Sequence, residues 1–246
     1  MNLDKIRVVL IETSHPGNIG ATARAMKTMG LRYLRLVRPK YFPHGDATAM
    51  AAGAHDLLES AELYDSLPDA IADCVAVAGA SARLRNHHWP THDARNSVQR
   101  LVTDAANGPV AIVFGRERTG LTNEEMDHCQ WLLNIPANPQ YPSLNLAMAV
   151  QIVGYELRIA LASDIPVEAP QSELAPMAEL ERLYEHLEQV MVQTEFLNPA
   201  NPRYLMRRLR LLFNRAGPDQ NEVNILRGLL TSVQRLQSAP DTGDDK

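Results

Sequence analysis

Short apolar runs alternate with amphipathic stretches through the first two thirds of the chain. Ile6-Arg7-Val8-Val9-Leu10-Ile11 is a β-rich run, and apolar periodicity from about Ile19 to Met29 predicts a helix that stops at Gly30. Tyr33 to Val37 predicts the next strand. Val75-Ala76-Val77-Ala78 and Val110-Ala111-Ile112-Val113-Phe114 are near-continuous apolar runs, the pattern of strands buried on both faces of a parallel sheet. Helical stretches over about 93–106 and 122–127 lie between them. Trp131 to Ile135 reads as a last strand, followed by a helix over about 145–162. That helix is apolar nearly all round, so it is either core or covered by another protein surface. The alternation predicts an α/β domain over residues 1–162.

Beyond Ala162 the pattern changes. Residues 163–176 carry Pro166, Pro170 and Pro176 among Glu, Gln and Ser, which reads as an extended linker. Three helices are expected over about 177–194, 202–215 and 221–236, within a small helical extension covering 177–246. Its own core would be thin, so it should lean on the main domain or on a second subunit.

Composition narrows the possibilities only a little. The 246 residues carry a formal charge of −5, which does not announce a nucleic-acid binder, yet the arginines are clustered and local field matters more than the sum. Cys74, placed in a buried strand, and Cys129 lack disulfide or zinc spacing, and the histidines (His15, His44, His55, His87, His88 and His92 among them) show no ligand spacing, so no metal is expected. Met1 to Lys5 lacks a signal-peptide core, and Ala147 to Ala162 is interrupted by Gln151, Glu156 and Arg158 and too short to span a bilayer. A soluble, cytoplasmic protein with no membrane partner is expected.

Three loops carry the candidate chemistry. His15-Pro16-Gly17-Asn18-Ile19-Gly20 runs into Arg24; Gly115-Arg116-Glu117-Arg118-Thr119-Gly120 follows an apolar run; Ile135-Pro136 leads through Pro142-Ser143-Leu144-Asn145. In an open α/β sheet, loops at the carboxyl ends of strands share one edge, so these three can form one site. Each has a plain alternative. Asn18 can simply cap a helix. Arg24, placed in the first turns of that helix, opposes its dipole and so suggests an anionic ligand, or is merely exposed. The Gly115–Gly120 segment is neither a dinucleotide fingerprint nor a Walker loop, and is either a close approach to a ligand or a plain strand-to-helix turn. Ser143 lacks a nucleophile elbow and is a candidate N-cap of the long helix. Gly79-Ala80-Ser81-Ala82 is a small-residue turn leading to Arg83 and Arg85, which could aim cations at phosphate. Arg203, Arg207, Arg208, Arg210 and Arg215 have no acid between them; Arg203, Arg207 and Arg210 share a helix face, which is either solvated or, as favoured here, a polyanion contact.

Together these segments resemble the SPOUT class of S-adenosylmethionine-dependent RNA 2'-O-methyltransferases. The matches are Asn18 through Arg24, then Phe114-Gly115-x-Glu117-x-x-Gly120-Leu121, then Ile135-Pro136 with Ser143-Leu144-Asn145, and they cover about Ile6 to Ala162. The strings Ala25-Met26-Lys27-Thr28-Met29-Gly30, Ser143 through Val150 and Asn224-Ile225-Leu226-Arg227-Gly228 narrow the resemblance to the branch acting on nucleotide 32 of the tRNA anticodon loop. Pro142 departs from the expected small polar residue. The resemblance implies a mostly parallel sheet with a deep trefoil knot, a rare exception to the rule against threaded chains, and a homodimer. It implies a metal-independent donor pocket of Ala80, Ser81, Ala82, Gly115, Glu117, Gly120, Ile135, Ser143, Leu144 and Asn145. Arg24 becomes the essential catalytic residue, supported by Asn18, Ser143 and Asn145. The RNA contacts expected are Arg83, Arg85, Arg116, Arg203, Arg207, Arg208 and Arg210.

The implied reaction is methyl transfer to a ribose 2'-hydroxyl. A guanidinium is protonated up to about pH 12, so stabilising the developing alkoxide and clamping the adjacent phosphate suits Arg24 better than a base role, which would demand strong desolvation. Glu117 would either hold its own loop or face the sulfonium. Ribosomal RNA as the substrate, or a catalytically silent RNA-binding protein on the same fold, are the competing readings.

Overall fold

A computed structural model of the chain describes residues 3–82, 89–162, 174–202 and 204–238. Seven strands, β1 (Ile6–Ile11), β2 (Tyr33–Val37), β3 (Glu62–Tyr64), β4 (Ala76–Ala80), β5 (Thr91–Asp93), β6 (Val110–Phe114) and β7 (Trp131–Asn134), form one sheet in the order β3-β2-β1-β6-β4-β7-β5. Every pairing between them is parallel. Register aligns the strand ends: Leu10 and Ala80 both face Phe114, and Ala80 faces Leu133. The loops after β1, β6, β4 and β7 therefore leave from one edge.

Alternate strand residues go to opposite layers, as the pleat requires. Val8, Leu10, Ile112 and Phe114 pack beneath α1 (Pro16–Met29), α5 (Ala94–Asp104) and α7 (Leu146–Ala162). Val9, Ile11, Ala111 and Val113 face the other way, against α4 (Leu67–Ile71), α6 (Asn123–Asp127) and α8 (Met177–Gln193). The helical extension thus supplies part of the main sheet's second cover through Met177, Leu180, Leu183 and Tyr184. The backbone N–H of Met177 donates to the carbonyl of Cys74, and the bridge between Leu174 and Asp219 ties the start of α8 to α10 (Gln220–Ser238). Of the expected linker, residues 163–173 lie outside the described residues, and Leu174 and Ala175 are tied to Asp219 and Pro218. α9 (Leu205–Ala216) docks on α6 of the same chain: Arg207 pairs with Asp127 at 2.7 Å.

Several expectations shift. α1 begins at Pro16, whose fixed φ and missing N–H suit a first helical position, with His15 before it as N-cap. Asn18 is therefore inside the first turn and does not cap. Arg24 lies mid-helix, beyond the reach of the helix dipole, so that reason for an anionic ligand falls away. Gly30 does end the helix, in the left-handed region at φ 82. Cys74 is buried but precedes its strand. The short elements α2 (Gly45–Ala51), α3 (His55–Glu59), β3, α4 and β5 carry too few residues to show a period.

Candidate active site

The three loops meet. A cavity of about 290 Å³ is lined by Ala80, Ser81 and Ala82 after β4, by Gly115, Glu117 and Gly120 after β6, and by Ile135, Ser143 and Leu144 after β7. Leu121, Leu133, Pro142 and Ala149 also line it, as do Arg116 and Arg118. On the other side of the third loop runs an open groove along α1, α2 and α7. Asn18, Arg24, Met50, Asn145 and Met148 line it, and Leu144 lines both spaces. Asn145, expected in the donor pocket, is on the groove side.

Glu117 holds the first two loops together. Its carboxylate accepts from the Ser14 N–H (3.1 Å), the Ser14 hydroxyl (3.0 Å), the His15 N–H (3.2 Å) and the Asn18 amide (3.0 Å). Burial alone would raise its pKa, but the Asn18 hydrogen bond and the backbone N–H groups outweigh that and hold it at about 2. Asn18 passes the link on by accepting at Oδ1 from the Asn145 amide at 3.0 Å. Asn145 Oδ1 in turn accepts from the Ala147 N–H, so Asn145, and not Ser143, caps α7. Carboxylate, amide and amide thus join all three loops. Of the two roles open to Glu117, the loop-holding one is what the geometry provides, though the loop it secures is the one before α1.

The segment after β6 folds back on itself. Gly120 donates its N–H to the carbonyl of Arg116, and a Cβ at Gly115 would overlap the Gly120 backbone, so no other residue fits at 115. Thr122 and Glu125 form a reciprocal cap at the start of α6. Arg116 is bound on both sides, to Glu12 at 2.8 Å and to Glu125 at 3.0 Å. Arg24 is exposed at the groove, and its guanidinium makes no hydrogen bond or ion pair among the described residues. Ser143 is also exposed, its hydroxyl without a partner there. The site therefore presents an unengaged cation and an unengaged hydroxyl on either side of a wall tied down by Asn18 and Asn145.

The arginines of the extension separate into two groups. Arg207 is paired with Asp127, and Arg210 with Glu181 at 2.7 Å, while Arg208 and Arg215 are exposed. The face shared by Arg207 and Arg210 is turned onto the protein's own acids. Arg83, Arg85 and Arg203 lie outside the described residues. Ser14, Glu12 and Glu125 were not anticipated as site residues; the Thr122-x-x-Glu125 capping spacing was the one readable signal among them.

Residues 5–155 match the family model of the SpoU rRNA methylases, over half of the chain. The chain belongs to the SpoU rRNA methylase family. Residues 178–242 of this SpoU methylase match a second model, the C-terminal domain of the tRNA methyltransferase TrmJ. It is 51% identical over 248 residues to the tRNA (cytidine/uridine-2'-O-)-methyltransferase TrmJ of Sodalis glossinidius, covering 98% of this chain and 97% of that one. Against the protein of the same name from Pectobacterium atrosepticum it is 52% identical, with 95% and 98% covered. The crystal structure of TrmJ from Z. mobilis ZM4 superposes with a TM-score of 0.83 at 31% identity, covering 93% of this chain and 98% of that one.

Proposed function

We propose that this chain transfers a methyl group from S-adenosylmethionine to a ribose 2'-hydroxyl in the tRNA anticodon loop, at nucleotide 32, and that it acts as a cytoplasmic homodimer with the knotted topology of its family. The observation that carries the reading is the wall common to cavity and groove, formed by Leu144 and closed by the Asn145–Asn18 hydrogen bond. It gives a donor and an acceptor separate spaces that touch at one point.

The residues fit such a donor. The cavity wall is mostly apolar, through Leu121, Leu133, Ile135 and Leu144, with the hydroxyls of Ser81 and Ser143 for orientation. The tight turn at Gly115 brings backbone against the space, and ionised Glu117 at the wall suits a cation. When bound, the donor supplies a methyl group already activated on a sulfonium. What is left to the protein is to place the acceptor hydroxyl and ease the loss of its proton. Arg24 is free to grip the neighbouring phosphate and stabilise the oxygen as charge develops on it. Ser143 and Asn145 orient the nucleotide across the wall, and Asn18 holds Asn145.

The exposed apolar side chains of α7 support the dimer. Met148, Tyr155 and Ile159 are exposed on α7, and exposed Met50 of α2 lines the groove with Met148. Substituting Tyr155→Glu together with Met148→Glu should shift the sedimenting species from dimer to monomer. Arg208 and Arg215 are exposed cations of the extension, open to contact with tRNA. Among the described residues no helix is long and apolar enough to cross a membrane.

The test is nucleoside mass spectrometry of total tRNA from cells with and without the gene, with loss of the 2'-O-methyl nucleoside at position 32 expected. The family model's own name favours ribosomal RNA as a second reading. Labelled donor incubated with purified protein and either RNA separates the two, and failure to bind the donor at all would leave a silent RNA-binding protein.

A further inference from the structure

We propose that Arg116 is a positioning residue for the methyl donor: a latch that holds the 115–121 loop in the shape lining the cavity, with its guanidinium turned to the protein's own carboxylates instead of to RNA. The proposal rests on the donor reading above. Three of the guanidinium's five N–H donors are in use. Nε reaches Glu12 Oε2 at 2.8 Å, and Nη1 and Nη2 take the two oxygens of Glu125 at 3.0 Å each, the parallel fork that arginine alone can supply. The same Glu125 carboxylate accepts from the Thr122 N–H at 2.8 Å. Thr122 directly follows Leu121, the last loop residue on the cavity wall. One carboxylate therefore secures the loop where it begins, through Arg116, and where it ends, through Thr122. Between these points the Gly120 N–H on the Arg116 carbonyl closes the turn.

Glu12 makes the latch reach further. It stands just past β1 with φ 46, a left-handed conformation that a non-glycine residue seldom adopts without something holding it. Arg116 and Arg38 (2.7 Å) both bind its carboxylate, and hydrogen bonding to Arg116 lowers its pKa. Two residues on, Ser14 donates to Glu117. The loops after β1 and β6 are consequently stitched twice, once by Glu12–Arg116 and once by Ser14–Glu117. For Arg116 to reach a phosphate it would have to abandon Glu125, whose side chain is only 12% exposed, and leave that carboxylate without a cation, held by the Thr122 N–H alone.

The experiment measures donor affinity by calorimetry and tRNA affinity across a salt series for the full-length wild type, Arg116→Met, Arg116→Lys and Glu12→Gln. Arg116→Met should weaken donor binding by about tenfold or more, the scale expected when positioning is relaxed. Arg116→Lys, which keeps the charge and loses the fork, should fall between it and wild type, and Glu12→Gln should cost less because the Glu125 fork survives. tRNA affinity and the slope of its logarithm against log salt should not change. Hydrogen exchange at the Gly120 amide should quicken in Arg116→Met. If that variant does not fold, Arg116→Lys and Glu12→Gln decide the matter by the same ranking. Unaltered donor affinity in the folded variants overturns the latch, as does a salt slope reduced by about 1, which would mean that Arg116 had been neutralising a phosphate. A wild-type protein that binds no donor would overturn the functional reading itself, and the latch with it.

Discussion

Replacing Glu117 by Gln tests the link that brings the first two loops together. The native carboxylate sits at about 2 against an ordinary value of 4.5. At about 1.4 kcal/mol per tenfold, that difference corresponds to about 3 kcal/mol, and discounting it for the half-exposed position leaves about 1–2 kcal/mol. A glutamine there would keep one acceptor oxygen and set an amide N–H₂ against the N–H groups of Ser14 and His15, so at pH 7 most of that contribution should disappear. For a domain of this size the melting temperature should fall by about 2–8 °C. The pH dependence has a definite sign. A carboxylate whose pKa is depressed on folding stabilises fully above its unfolded value, and the benefit fades as pH drops from 4.5 through about 2. The gap between wild type and Glu117→Gln should hold steady from pH 8 to about pH 5. By pH 3 it should shrink to roughly two-fifths of its neutral value. Melting curves of both proteins at matched ionic strength measure this. Equal stability at pH 7, or a gap undiminished at pH 3, would refute the assignment of the ionised carboxylate as the tie.

Other perturbations separate the parts of the site. Arg24→Lys should lose nearly all turnover while donor affinity stays within about twofold, because lysine is a point charge without a bidentate fork; normal activity would remove Arg24 from the chemistry. Gly115→Ala forces a Cβ into the Gly120 backbone, so donor affinity should collapse by calorimetry while far-ultraviolet dichroism is retained. Reversing the exposed charges, Arg208→Glu with Arg215→Glu, should weaken tRNA binding, flatten its salt dependence by about 1 for each phosphate no longer neutralised, and leave donor binding alone. A chain cut after Ala162 should aggregate, since it uncovers the sheet face under Leu180, Leu183 and Tyr184 and forfeits about 1.5–3 kcal/mol for each such side chain; a soluble, monodisperse fragment would show that the extension is dispensable to the fold. Charge reversal is thus the cleaner probe of RNA contact.

The fold was legible where burial is two-sided. β1, β4 and β6 announce themselves because both faces are covered, which demands unbroken apolar runs, and Gly30 announces the end of α1 because only a left-handed residue closes it there. The start of α1 was not, because Pro16-Gly17 has the look of a turn while proline at the first helical position leaves the apolar periodicity to begin later. That one displacement put Arg24 near a helix end in the sequence and made a dipole argument where none applies. The Arg207/Arg210 face was also visible as a face, but its direction was not. Direction depends on Asp127 and Glu181, which sequence separation hides and only the docking of α9 beside α6 and α8 reveals.

The same limit explains what was seen and missed in the site. Glycines, asparagines and the serine at the turns are dictated locally, so Gly115, Asn18, Asn145 and Ser143 stood out. Glu12 and Glu125 serve the site through Arg116, across folds of chain that no local pattern records. A loop poised against a donor needs its charges balanced by partners elsewhere, because an unpaired half-buried arginine or glutamate would be costly. On the latch reading Arg116 is turned from RNA by its two carboxylates, while Arg24, with no carboxylate set against it among the described residues, stands exposed at the groove. A carboxylate introduced opposite it, as in Ala21→Glu one helical turn away, should occupy that guanidinium and depress turnover as Arg24→Lys does, with folding unaffected. Full activity in Ala21→Glu would show that availability of the Arg24 charge is not what the groove contributes.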